Sequence, residues 1–120
     1  MTIREAMEVA HGTLLWGEEY LDEEIHSACG SDMMSDVLAF VKDQAILVTG
    51  LCNPQVIRTA EMIDMKCVIF VRDKNPTPEM LELAEEAGIA VLKTGHRMFT
   101  TCGLLYAAGL RGGSDYERFT

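Results

Sequence analysis

Basic side chains are scarce in this chain: ten Lys and Arg stand against nineteen Asp and Glu, for a net charge of −9. Binding to a phosphate backbone needs clustered cations, so nucleic acid is excluded as a direct partner. An anionic membrane surface would repel the chain for the same reason. Long hydrophobic runs are also missing, and no stretch approaches the ~20 residues of a membrane span. The opening MTIREAMEVA carries Glu5 and Glu8 and has no apolar signal core, so a cytoplasmic location is expected. The four cysteines, Cys29, Cys52, Cys67 and Cys102, include no C-x-x-C pair. Zinc sites usually draw paired ligands from one turn, so free thiols are expected, with Cys67 in the core. Cys29 and Cys52 each lie near a strand end, which leaves a thiol or metal sensor as a minor alternative. The G-x-S-x-G elbow, the G-x-x-x-x-G-K-[ST] phosphate loop and G-x-G-x-x-G are all absent. No catalytic residue, cofactor or resident metal is expected.

What is present is a chain of 120 residues, 48% hydrophobic, long enough for one domain with a core. A domain of this size buries roughly two-thirds of its unfolded surface. Its centre is Ala45–Pro54, AILVTGLCNP: an almost wholly apolar strand Ala45–Thr49, a turn at Gly50 and a helix start at Asn53-Pro54. Upstream, Thr2 and Glu5 have the spacing of a capping box for a helix over Thr2–Ala10. Strands are predicted at Thr13–Trp16 and Ile25–Cys29, joined by the acidic Gly17–Glu24 as a surface connection. A helix is predicted over Met33–Lys42, with Met34, Val37, Leu38 and Val41 inward and Asp43-Gln44 as the following turn. Met33, Met34, Met62, Met65 and Met80 are read as core filling. Downstream come a strand Cys67–Val71, a loop Arg72–Pro78, a helix capped by Thr77 and ended by Ala87-Gly88, a strand Ile89–Leu92, a turn Lys93–Arg97 and a helix Met98–Ala108. Leu81, Leu83 and Ala84 are predicted to face inward. Residues 1–110 form the expected domain and 111–120 a loose tail. The alternation of strand and helix predicts a three-layer α/β/α domain around a mainly parallel sheet of about five strands.

Ligands of open parallel α/β sheets bind beyond the carboxyl ends of the strands. Four predicted turns lie there, and they supply Ser31, Asp32, Thr49, Asn53, Arg72, Thr94 and His96 as candidate ligand-binding residues. Helix N-termini following these turns offer free N–H groups to a phosphate or carboxylate. Each polar residue has a plainer alternative. Ser31, Asp32 and Asn53 are residue types that cap helices, Arg72 beside Asp73 could form a surface ion pair, and His96 could simply face solvent. Ser31, His96 and Asp32 fall short of a catalytic constellation, because any small α/β protein supplies such a set.

The acidic helix and strand LELAEEAGIAVLKT, Leu81–Thr94, follow N-P-T-P-E, and Met98-Phe99-Thr100-Thr101-Cys102 comes next. These segments resemble those of the DRTGG domain family, the last being similar to its T-F-x-T-A stretch. Gly30–Val37, GSDMMSDV, resembles the S-D-L-L-S-D-V segment of stand-alone members from anaerobic bacteria. Two signature positions depart: Leu51-Cys52 stand near the expected Asp-Arg, and Val71-Arg72-Asp73 stand at the expected Thr-Gly-Gly. The resemblance implies a fold like the N-terminal, non-catalytic domain of HPr kinase/phosphorylase. It also implies a regulatory or dimer-forming role, since such domains accompany nucleotide-sensing domains in some pyrophosphatases and occur in some phosphotransacetylases. The expectation is therefore a non-catalytic, homodimeric regulatory module that senses a small anionic metabolite or nucleotide, with a protein partner in a metabolic or redox system. A scaffold without a ligand is the alternative, and a small hydrolase or transferase a lesser one.

Overall fold

The computed structural model describes residues 1–40 and 45–113. Within them the order is α1 (Ile3–Val9), β1 (Gly12–Trp16), a 3-10 turn Glu18–Tyr20, β2 (Ser27–Gly30), α2 (Met34–Phe40), β3 (Ala45–Thr49), α3 (Pro54–Met62), β4 (Cys67–Phe70), α4 (Pro78–Ala87), β5 (Ala90–Thr94) and α5 (Met98–Ala107). Local chemistry sets most helix starts. The Thr2 hydroxyl accepts from the Glu5 N–H while the Glu5 carboxylate accepts from the Thr2 N–H, so two otherwise orphaned donors are satisfied together. Asn53 and Thr77 cap α3 and α4, each followed by a proline that has no N–H to lose.

The sheet runs β1-β5-β4-β3-β2. Strands β2 to β5 are parallel, and β1 lies antiparallel against β5. The path β2-α2-β3-α3-β4-α4-β5 moves one strand at a time in one direction. Crossovers of a single hand then leave α2, α3 and α4 on the same face. Their side chains Val37, Val56, Ile57 and Met80 pack on Leu47, Val68, Phe70 and Val91. On the opposite face Ile3 and Ala6 of α1 and Leu105 of α5 pack on Ile46, Val48, Ile69 and Leu92. Successive residues of β3 thus enter different cores, which is why its sequence is an unbroken apolar run. This is the expected three-layer α/β/α arrangement with a mainly parallel five-strand sheet.

Several local expectations change. Lys93 and Thr94 extend β5 instead of turning, because β1 pairs with them as Thr13↔Lys93 and Gly12↔Thr94. Leu38 is 39% exposed, since the stripe that α2 buries among the described residues runs through Met34 and Val37. Met33 and Met62 also lie on the surface, and Met80 joins Ala84 as the fully buried side of α4, while Leu81 and Leu83 are half-buried. The acidic connection is not all surface. Backbone bonds from Ile3 to Glu23 and from Arg4 to Leu21 tie it beneath α1 and bury Leu21. The predicted helix end at Val41-Lys42, the turn Asp43-Gln44 and residues 114–120 of the predicted tail lie outside the described residues. Arg111, where that tail begins, docks on the sheet: its carbonyl accepts from the Ala28 N–H at 2.9 Å, and its guanidinium stacks 4.0 Å from the Tyr106 ring centre.

Candidate functional site at the carboxyl edge of the sheet

The carboxyl ends of β2 to β5 form one edge, and the antiparallel β1 begins there. At β2, the Ser31 N–H continues the ladder onto Val48 O, and its Oγ accepts from the Met33 N–H at 3.0 Å. The Asp32 carboxylate reaches over to β3. Its Oδ1 accepts from the Gly50 N–H at 2.7 Å and from Thr49 Oγ1 at 2.9 Å. The Gly50 N–H is the largest influence holding its pKa below the ordinary value; the Thr49 hydroxyl, the Leu51 N–H and the charge of Arg72 act the same way against desolvation. Thr49 is fully buried and also accepts from the Leu51 N–H. Asn53 caps α3 through the Gln55 N–H at 3.0 Å, the plainer of its two predicted roles.

The helices after β4 and β5 leave toward opposite faces, α4 to one and α5 to the other. Such a divergence between neighbouring parallel strands is where α/β sheets open a crevice. Here the β5–α5 loop passes across the end of β4. The Arg72 N–H donates to His96 O at 2.8 Å and the Asp73 N–H to Thr94 O at 2.9 Å. α5 then starts at Arg97 with no side-chain cap, and its Met98 lies near Gly30 at the end of β2. The uncapped end therefore lies across the same edge.

Arg72 and Asp73 both have left-handed backbone, with φ of 58° and 55°. These are the second and third of the positions where the resemblance expects Thr-Gly-Gly, and the conformation suits glycine. The two side chains part. Arg72 lies over Gly50, where an added Cβ would sit 2.6 Å from its Nη2; Asp73 lies over Gly95, where an added Cβ would sit 3.3 Å from its Oδ2. The ion pair considered from their adjacency in sequence does not form, and among the described residues neither side chain makes a hydrogen bond or ion pair.

Thr94 is buried, and its hydroxyl donates to Ala10 O at 2.8 Å and accepts from the His96 N–H. His96 meets His11, Nε2 to Nδ1 at 2.8 Å. The His96 ring is thereby turned toward β1 and away from Ser31 and Asp32. Those residues end β2, three strand spacings or roughly 14 Å from β5. The structure thus groups Ser31, Asp32 and Thr49 at β2–β3, sets Arg72 beside them, and places Thr94 and His96 at the β5–β1 end. Sequence reasoning missed His11, Asp73 and the space-giving Gly50 and Gly95. His11 follows a helix end and precedes a strand, but its place at this edge depends on the antiparallel pairing of β1.

Other groups carry less. The electrostatic neighbour of Cys29 is Cys102, and burial raises the thiol pKa of both as well as that of Cys52. Among the described residues, no group of three or more His, Cys, Asp or Glu is placed to hold a metal ion, and no helix is long and apolar enough to cross a membrane.

Residues 5–108 match the family model of the DRTGG domain. Among solved structures, the chain is similar to the CBS and DRTGG domains of the regulatory region of Clostridium perfringens pyrophosphatase, complexed with the activator diadenosine tetraphosphate. The TM-score is 0.69 at 17% identity, over 87% of this chain and 45% of that one. The chain thus spans less than half of that structure, and a likeness at this identity is one of fold. No curated protein matches the chain.

Proposed function

Because the chain belongs to the DRTGG domain family, we propose that it is a non-catalytic regulatory module whose sheet edge binds a small anionic metabolite or nucleotide. The observation that carries this reading is the Arg72 guanidinium. It is exposed, has no hydrogen-bond partner among the described residues, and lies against Gly50 on the edge that the uncapped start of α5 also meets. A cation on the edge that an uncapped helix start also meets favours phosphate or carboxylate. Asp32 and Thr49 tie the ends of β2 and β3 together, and Thr94 anchors the loop that crosses β4. The separation of Ser31 from His96 counts against a hydrolase. Thermal-shift measurements with nucleotides, acyl phosphates and carboxylates test the reading. Occupancy at a hundred times Kd adds about 2.7 kcal/mol and raises Tm by about 11 °C. Flat melting temperatures at millimolar concentrations would reject ligand sensing.

The same module acts as a homodimer in this reading, and one observation favours it. Phe99 is 90% exposed and lies seven residues before the exposed Tyr106, on one stripe of α5. Between them Gly103 leaves open space. An aromatic stripe of this kind suits a partner surface, whether a second copy or another protein. Light scattering across concentration should give twice the chain mass, and Phe99→Glu should return the monomer. A wild-type monomer at every concentration would leave the ligand-binding module without self-association.

A further inference from the structure

We infer that the Arg72–Asp73 turn is a recognition site for a phosphate monoester bearing neighbouring hydroxyl groups, with Arg72 on the phosphate and Asp73 on a hydroxyl. This deepens the sheet-edge ligand proposed above and rests on that reading. Two successive non-glycine residues with left-handed backbone are costly, more so for Arg than for Asp. The turn itself does not require them. It is closed by the Lys74 N–H on Val71 O at 3.3 Å and tied to β5 by the Arg72 and Asp73 N–H groups. Glycine at both positions would make every one of those bonds without strain.

The neighbouring glycines make the complementary point. The glycines with positive φ among the described residues are Gly17, Gly88, Gly109 and Gly113, so neither Gly50 nor Gly95 is needed for its backbone. What each provides is room: Gly50 for the guanidinium and Gly95 for the carboxylate. The strained pair and the two cleared strand ends thus hold opposite charges apart on the open edge, with no hydrogen-bond or ion-pair partner among the described residues, the Asp32 carboxylate acting on Arg72 only through its charge. A ligand that presents an anion to one and a donor to the other completes this arrangement. Nucleoside monophosphates and sugar phosphates share that chemistry.

Calorimetric titration of the full chain with inorganic phosphate, ribose 5-phosphate and AMP tests the assignment. Ribose 5-phosphate binding is expected, with AMP tighter only if a base is also read. Arg72→Gly should weaken every bound probe at least about tenfold, and Asp73→Gly should weaken ribose 5-phosphate but leave inorganic phosphate within about twofold. The ligand-free Arg72→Gly/Asp73→Gly double variant should melt about 2–5 °C higher than wild type as strain is released. A double variant that melts lower would show that the two side chains are structural and overturn the inference. Binding that survives Arg72→Gly within threefold would also overturn it, while leaving a ligand at the sheet edge. If none of these probes binds the wild type but another anion shifts its melting, this ligand class is wrong and the broader reading stands. If no anion does, both fall.

Discussion

Thr94→Val removes one oxygen from the interior and little else. The Thr94 hydroxyl donates to the carbonyl of Ala10, at the open end of α1, and accepts from the His96 N–H. Valine keeps the branched shape that suits β5, so the volume and the strand preference hardly change. The lost oxygen leaves the Ala10 carbonyl buried without this donor, which costs about 1–3 kcal/mol. The His96 N–H is only partly buried, and water can replace its acceptor at small cost. A loss of about 2 kcal/mol is therefore expected. With an unfolding entropy of about 0.25 kcal/mol/K for a chain of this length, Tm falls by about 8 °C. Thr101→Val is the matched control. Thr101 is equally buried, and its hydroxyl donates to Arg97 O at 2.9 Å. That carbonyl keeps the Thr101 N–H at 3.0 Å, so the control should lose no more than about 2 °C. Circular dichroism melts and urea midpoints of the three proteins read the difference. Equal losses in both variants, or a drop of less than about 3 °C for Thr94→Val, would refute the account of the α1–β5 joint.

Other expectations follow from single geometries. Because the folded-state pKa of Asp32 is lowered, its stabilisation is present above the unfolded value near 3.9 and is lost as pH falls through the lower folded one. The urea-midpoint gap between wild type and Asp32→Asn should thus be widest near pH 6 and close toward pH 3, and a gap that widens in acid contradicts the assignment. Gly17 has φ of 102°, and an added Cβ would lie 2.8 Å from the Ala90 Cα. Gly17→Ala should therefore cost more than about 2 kcal/mol in chemical denaturation, because neither backbone can give way. Burial pushes the Cys67 thiol far above its ordinary range, and the residue is enclosed in the α1/α5 core. Native iodoacetamide labelling should reach Cys29, Cys52 and Cys102 before Cys67, which becomes reactive only on unfolding.

Local signals were easiest to read where one residue type has one use. The capping box at Thr2, the Asn-Pro and Thr-Pro helix starts, and the apolar run Ala45–Thr49 all appear where the chain order places them. Faces were harder. Leu38 and Met62 fit a helical period but stay exposed, with no second layer over them among the described residues. The candidate residues were found because strand ends can be recognised one strand at a time. Their grouping could not be found that way: Asp32 bonds to β3, Arg72 lies over β3, and His96 meets a residue that precedes β1.

By itself the sequence determined the class of the domain, its helix starts, its central strand and the edge where polar residues gather, because caps, prolines and apolar periodicity act over a few residues. Tertiary structure alone decided the strand order, the antiparallel place of β1, the exit of α5 to the face opposite α4, and the left-handed turn that parts Arg72 from Asp73. Those features depend on which backbones come to lie side by side. A Gly50 that gives room to a guanidinium from the next strand reads, in the chain, as nothing more than a turn.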